Sequence, residues 1–316
     1  MKRPAAETGT VLTKNKKTLI KDLKRGIPLY IMILLPVLWY LVFFYKPIGA
    51  LQIAFRDYNP IQGISQSPWV GMKHFKNFFT GPYAWRTIKN TFMINLISLF
   101  TIFPLTIFFA LMINEIPSKR IRSAVQTASY MPHFISSVIV AGLVVSFLSP
   151  SAGIINIILE KLGFERQYFL IKPEYFRTIY VTMGGWQGIG FSTIIYTSAI
   201  SSIDPTLYEA ASIDGAGRFK RMWHITLAGI APTIILMFIM RMGSMLSVGY
   251  ETIILLYQPS TYETADVINT FVYRRGMVES DYSFSTAVSV FNGVVAFILV
   301  FVSNTISRKL SGTALW

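Results

Sequence analysis

Long apolar runs separated by charged loops organise this chain. Runs near 28–48, 91–113, 132–149, 178–200, 229–250 and 286–306 each approach the roughly 20 apolar residues that carry a helix across a bilayer core. They predict an all-α, polytopic membrane protein with six transmembrane helices. The third run is short and bracketed by Pro132 and Pro150. Loops fall near 49–90, 114–131, 150–177, 201–228 and 251–285, and no repeat of convincing period appears.

Lys and Arg positions set the orientation, because cytoplasmic loops carry the excess of both. Lys14, Lys16, Lys17, Lys21, Lys24 and Arg25 precede the first run. That run is too long for a secretory signal, and no small-residue cleavage site follows it. It reads as a retained span behind a basic cytoplasmic tail over 1–27, with the transmembrane domain over 28–316. With the N-terminus inside, the cytoplasmic pieces carry Lys119, Arg120 and Arg122, then Arg218, Lys220 and Arg221, then Arg308 and Lys309. The opposite loops hold Asp57, Glu160, Glu165, Glu174, Glu251, Glu263, Asp266, Glu279 and Asp281. An even number of spans puts both termini in the cytoplasm.

Composition agrees with this picture. Of 316 residues, 53% are hydrophobic and only 14% charged, where a soluble domain carries roughly a quarter charged. The formal net charge of +14 alone would admit nucleic acid as a partner. The placement of the charges makes the excess topological instead, so no nucleic-acid partner is expected. The absence of Cys excludes a disulfide framework and a thiolate metal site. His74, His133 and His224 are scattered without ligand-like spacing, so no metal site is expected.

Two loops stand out. In the loop 49–90, Asn59-Pro60 and Ser67-Pro68 are turn signals among aromatic residues. It reads as an ordered external loop with a short helix around Met72–Phe79, and equally as a membrane-surface loop anchored by Trp69, Phe75 and Phe78. In the loop 201–228, Asp204-Pro205 marks a helix start, an N-cap carboxylate followed by Pro at the first helical position. Leu207, Ala210, Ala211 and Asp214 share one side of that helix. Gly215 and Gly217 then break it before Arg218–His224. The result is a helix–turn–helix along the membrane that offers small residues for close approach by another protein.

Glu209-Ala210-Ala211, Asp214-Gly215-Ala216 and Ile225-Thr226-Leu227 together resemble the EAA signature of ABC importer permeases. That signature is Glu-Ala-Ala, a Gly six residues after the Glu and a closing Ile-x-Leu-Pro; here Ala228 stands in place of the Pro and Pro232 follows four residues later. The resemblance implies a coupling helix that docks on a cytoplasmic ATPase, with Glu209, Ala210, Ala211, Asp214, Gly215 and Arg218 as its contact residues. The stretches "YKPIGALQIAFRDYNPIQGI", "SPWVG", "ADVINTFVYRRG" and the final Trp316 also look like LplB-type permeases of the carbohydrate-importer, maltose-permease-like superfamily. That likeness covers about Tyr30 to Trp316. It implies a MetI-like core made of the second to sixth spans, in a bacterial inner membrane. It further implies a second homologous permease, two ATPase subunits, an extracytoplasmic solute-binding protein, and an oligosaccharide or polysaccharide-fragment substrate, including acidic ones.

The chain carries no G-x-x-x-x-G-K-[ST] phosphate loop, and Gly184 to Ser192 is glycine-rich without the Lys. ATP and Mg are therefore expected in the partner ATPases, with alternating access driven from there, and no cofactor on this chain. Polar groups inside the spans are few. Arg241 is the clearest candidate to meet an acidic sugar, since an ionisable group at membrane depth is costly; pairing with carbonyls or with a carboxylate of the partner permease is the competing role. Asn95 and Asn292 are candidates for sugar hydroxyls or for bridging helices. Trp186, Tyr196 and Tyr250 are candidates for stacking on sugar rings or for packing. No acid/base or nucleophile constellation is present, so no covalent chemistry is expected. The competing functions are an ABC permease for another solute and a secondary transporter. The latter would call for an internal repeat or intramembrane carboxylates, and neither is evident.

Overall fold

The computed structural model describes residues 25–316, so nearly all of the expected basic tail lies outside the described residues. Two units are compact in themselves, one ending at Gln52 and one running from Ile53 to Trp316. In the first, α1 (Ile27–Tyr40) starts with proline in its first turn and contains Pro36. A π-helical turn, Leu41–Tyr45, continues it. No residue of α1 is buried, as suits a helix whose neighbours are lipid.

The second unit is all helix and loop among its described residues. Beside the short helices Gly63–Gln66, Ile154–Lys161 and Tyr262–Ala265, its helices in chain order are α2 (Lys73–Thr80), α3 (Ala84–Asn114), α4 (Lys119–Tyr130), α5 (Ser137–Phe147), α6 (Pro173–Ser201), α7 (Pro205–Ile213), α8 (Arg218–Arg221), α9 (Ala231–Gly243), α10 (Tyr250–Leu256), α11 (Ile268–Tyr273) and α12 (Tyr282–Ser311). The most extensive pairing is α3 with α6, and α9 packs along α12. The two long helices run parallel. Near their N-termini, Arg177 Nη2 donates to Asn90 Oδ1 at 2.8 Å. Near their C-termini, Ala110 and Leu111 share a core with Tyr196 and Ile200.

The apolar runs become membrane-length helices in three cases: Ile27–Phe55, Ala84–Asn114 and Tyr282–Lys309. The count rises to five if each of two bent pairs is one span. One pair joins Lys119–Phe134 to α5 at 96°, and the other joins Arg218–Leu227 to α9 at 60°. The third run breaks for local reasons. Pro132 lies in a 3₁₀ turn, Met131–Phe134, Ile135 is extended, and Ser136 caps α5 by accepting from Val138 N. The remaining α5 has 11 residues, about 16 Å of helix, which is too short alone for a hydrocarbon core of about 30 Å. The fourth run lies within α6, whose 29 residues reach about 44 Å. Four glycines, Gln187 and several hydroxyls keep α6 less apolar than the other three.

Those glycines set helix spacing. A side-chain carbon at Gly190 would collide with the Ser129 carbonyl of α4. Gly190 therefore lets α6 touch the α4 backbone, and Gly185 brings the same helix against Ile102 of α3.

Candidate functional site

Between α3, α6, α9 and the segment 244–252 lies a cavity of about 800 Å³. Arg241 enters it from the last turn of α9. Its Nη2 donates to Ser98 Oγ at 2.7 Å. Among the described residues, no carboxylate pairs with Arg241. Asn95 and Ser98 sit three residues apart on α3 and so share a face, and both line the cavity. Asn95 Nδ2 is turned back to Thr91 O at 3.0 Å. Tyr196 lines the cavity too and is almost wholly buried. Gln187 joins the lining and donates to Ile135 O at 2.7 Å, tying α6 to the entrance of α5.

Three of the six candidate pathway residues, Asn95, Tyr196 and Arg241, are thus brought together. The other three are not among the lining residues. Trp186 is half exposed on another face of α6. Tyr250 stacks on Tyr273 with ring centroids 5.1 Å apart. Asn292 Nδ2 donates to Leu246 O at 3.1 Å, bridging α12 to the segment after α9. Sequence reasoning missed Ser98, Gln187 and Tyr180 in the lining. Ser98 was recoverable from its i+3 spacing to Asn95, whereas Gln187 and Tyr180 needed the packing of α6 against α3.

After the C-terminal end of α6 the chain enters the loop 201–228. Asp204 Oδ1 accepts from Thr206 N at 2.9 Å, and this bond holds its carboxyl below the usual range. Pro205 then starts α7. Ala216 N donates to Ala211 O at 2.8 Å. Gly215, with φ +75°, supplies the left-handed turn that closes the helix. Two side-chain bonds join the arms of the loop: Tyr208 Oη with Thr226 Oγ1 at 3.0 Å, and Arg221 Nη1 to Ser212 Oγ at 2.7 Å. Glu209, Ala210, Asp214, Gly215 and Arg218 are exposed, and Ala211 is half-buried. Leu207, Ile213, Phe219 and Trp223 stand exposed beside them.

The opposite ends of α3 and α6 hold a cluster that the sequence presented only as scattered loop charges. The fully buried Asp266 accepts from Arg274 Nη1 at 2.9 Å, Arg274 Nη2 at 2.8 Å and Arg86 Nη2 at 3.0 Å. Thr270 Oγ1 donates to the same carboxylate at 2.9 Å. Asn90 Nδ2 reaches the Asp266 carbonyl at 3.0 Å. Burial opposes the Arg274 charge, but the Asp266 hydrogen bonds and charge outweigh it and raise its pKa above the ordinary value. Among the described residues, no group of His, Cys, Asp and Glu is placed to hold a metal ion.

Residues 102–312 match the family described as "Binding-protein-dependent transport system inner membrane component". The chain is 41% identical over 94% of its length, and 92% of the relative's, to the polygalacturonan/rhamnogalacturonan transport system permease protein YteP of Bacillus subtilis (strain 168). It is 38% identical to the LplB protein of the same organism over 99% of both chains. Among solved structures, it is similar to a chain of a bacterial alginate ABC transporter in complex with an alginate pentasaccharide-bound periplasmic protein. That match has a TM-score of 0.86 and 48% identity, covering 93% of this chain and 99% of that one. With its apolar helices, its cavity and a family match over two thirds of its length, the chain belongs to the inner membrane components of binding-protein-dependent transport systems.

Proposed function

We propose that this chain is one permease half of an ATP-driven importer whose cargo is an acidic, uronate-bearing oligosaccharide. The observation that carries the reading is Arg241. It is a guanidinium on the wall of a cavity of about 800 Å³, bonded to a neutral hydroxyl. A buried or half-buried cation without a counter-ion is costly, and a substrate carboxylate would supply one. The named relatives handle polygalacturonan, rhamnogalacturonan and alginate, all acidic polymers. In this reading α6 and both bent pairs count as spans, which makes six, with both termini in the cytoplasm. A second homologous permease completes the pathway, and a solute-binding protein delivers the sugar from outside. Two ATPase subunits bind ATP and Mg. Residues Glu209, Ala210, Ala211, Asp214, Gly215 and Arg218 form the surface that those ATPases move. Closure of the ATPases draws the coupling loops together and opens the cavity outward, and hydrolysis resets it.

The test uses the complete transporter in nanodiscs with its binding protein and a panel of acidic and neutral oligosaccharides. Acidic oligosaccharides should stimulate ATP hydrolysis. Arg241→Gln should reduce that stimulation by about 10-fold or more, the scale of a lost charge-assisted hydrogen bond, while basal hydrolysis stays intact. Glu209→Lys should instead lower both stimulation and ATPase retention on the permease. Equal stimulation by neutral sugars, or indifference to Arg241→Gln, would overturn the acidic-cargo reading.

A further inference from the structure

We propose that the short helix Ile154–Lys161, in the loop 150–177, is seated in the outer interface of the bilayer, with lipid acyl chains covering its exposed face. The proposal rests on the reading above in which the bent pair of α4 and α5 is one span. It adds a membrane contact outside the spans, in a segment whose charges mark it as an aqueous loop.

The helix is turned inside out. Its one polar residue before Glu160 is Asn156, which is 1% exposed. Ile154 and Ile158 are 52% and 48% exposed, and Ile155 and Ile157 are also exposed. At 3.6 residues per turn, Asn156 and Glu160 share one side, and Ile154, Ile158 and Leu162 share the other. Leu162 and Phe164 extend the exposed apolar surface past the last turn. A helix bounded by water places these groups the other way round, and a contiguous apolar patch of this kind marks a contact with membrane or protein.

Three observations favour lipid as the cover. First, the face continues that of α5, where Val138, Ile139, Leu143, Val145 and Phe147 are exposed. A side-chain carbon at Gly153 would collide with the carbonyl oxygens of Phe147 and Ser149, so the helix starts directly against the end of α5. Lys172 Nζ donates to Gln167 Oε1 at 2.7 Å, and Phe169 meets Tyr175 edge-on at 5.2 Å. These contacts tie the segment to the N-terminal end of α6, toward which α5 runs with Val140 and Ala141 packed near Phe176 and Val181. Second, the turn satisfies its own backbone. Asn156 Nδ2 donates to the carbonyls of Ser149 and Gln167, each at 3.0 Å, and its Oδ1 accepts from Gln167 N at 2.8 Å. Arg166 Nη1 donates to the carbonyls of Pro150 and Ser151 at 3.2 and 2.7 Å, and its Nη2 to Glu160 Oε2 at 2.8 Å. Acyl chains offer no hydrogen bonds, so a segment against them needs such internal partners. Third, the exposed face from Ile154 to Ile158 is purely aliphatic. A protein interface draws on aromatic and arginine anchors and on direct hydrogen bonds, and this face offers none. Glu160, Lys161, Glu165 and Arg166 gather at the C-terminal end of the helix, where headgroups and water can meet them.

The test uses site-directed spin labels. The chain has no Cys, so Ile154→Cys, Ile158→Cys, Glu165→Cys and, on α5, Val145→Cys can each carry one nitroxide. Each is placed in the complete transporter, with cysteine-free partner subunits, in nanodiscs. Power saturation then compares collision with oxygen, which concentrates in lipid, and with a water-soluble nickel chelate. Oxygen should dominate at Val145, Ile154 and Ile158, with the last two about 5–10 Å into the headgroup–acyl boundary, and nickel should dominate at Glu165. Nickel dominating at Ile154 and Ile158 while oxygen dominates at Val145 would overturn this proposal and leave the span reading standing. Nickel dominating at Val145 as well would overturn both. Protection of Ile154 and Ile158 from both reagents would mean that another protein covers the helix, and the lipid proposal would be wrong.

Discussion

At one end of the α3–α6 pair, Leu207, Ile213, Phe219 and Trp223 stand exposed on the loop 201–228. At the other end, Asp266, Thr270 and Asn90 are fully buried in a network that joins α3, α6 and α11. The first end is held by two side-chain bonds between its arms, and its apolar groups are exposed, as the proposed ATPase contact requires. The second end holds its own counter-ions. Under the proposed mechanism the two ends would play different parts, one receiving force from the ATPases and the other staying folded while helices tilt. The cavity with Arg241 lies between them, on α3, α6 and α9.

The sharpest way to break this contrast is Asp266→Asn. Two guanidiniums would then share a neutral amide in a buried site. Breaking a buried ion pair costs about 3–5 kcal/mol, so the melting temperature in nanodiscs should fall on the order of 10 °C. A change of under about 2 °C would mean that the network is not what fixes this end.

A smaller effect is expected at the loop 201–228. Tyr208→Phe removes the bond to Thr226, which is 1% exposed, at a cost of about 1 kcal/mol. The arms of the loop would then move more independently. ATPase subunits should still bind, because the exposed contact face is unchanged, but stimulation of hydrolysis by sugar should drop several-fold. Thr226→Val should do the same, and the double variant should be no worse than either single one, since both remove one bond. Additive losses would show that the two hydroxyls act separately, and the loop would then lack the brace that distinguishes it from a simple exposed helix.

The two ends also differ in how they could be read from sequence. The loop 201–228 is local. Its N-cap, its proline, its left-handed Gly215 and its exposed small residues lie within a few positions of one another, and short-range rules reach all of them. The Asp266 network joins residue 86 to residue 266 and residue 90 to residue 177, so neither period nor spacing could pair them. The long runs of α3 and α12 were legible as membrane helices. The run at 132–149 is carried by a bent pair rather than one straight helix, because the chain turns by 96° around Pro132 and Ser136, a break that hydropathy averages over. In the cavity, Arg241 stood out because charge is rare in an apolar run. Trp186 and Asn292 could not be assigned a face, because lipid-facing and packed positions have the same composition.

The smallest expected effect lies on the exposed rim of the buried end. Lys73 Nζ donates to Asp57 Oδ2 at 2.6 Å, and His74 Nε2 lies 3.0 Å from Asp57 Oδ1. The Lys73 hydrogen bond, against a modest opposing effect of burial, holds the Asp57 carboxyl below its ordinary value. The folded pKa is depressed, so the bond stabilises fully above the ordinary carboxylate range and is lost as pH falls through the lowered value. Both partners are well exposed, at 51% and 39%, and such surface pairs contribute about 0–1 kcal/mol. Melting of the parent and of Asp57→Asn should therefore differ slightly and by the same amount at pH 7 and pH 5. The difference should shrink toward pH 3 and at high salt. A difference that persisted unchanged at pH 3 would assign the effect to packing of the loop on α2 rather than to charge. A difference as large as that of Asp266→Asn would mean that the rim, and not the buried carboxylate, holds this end of the bundle together.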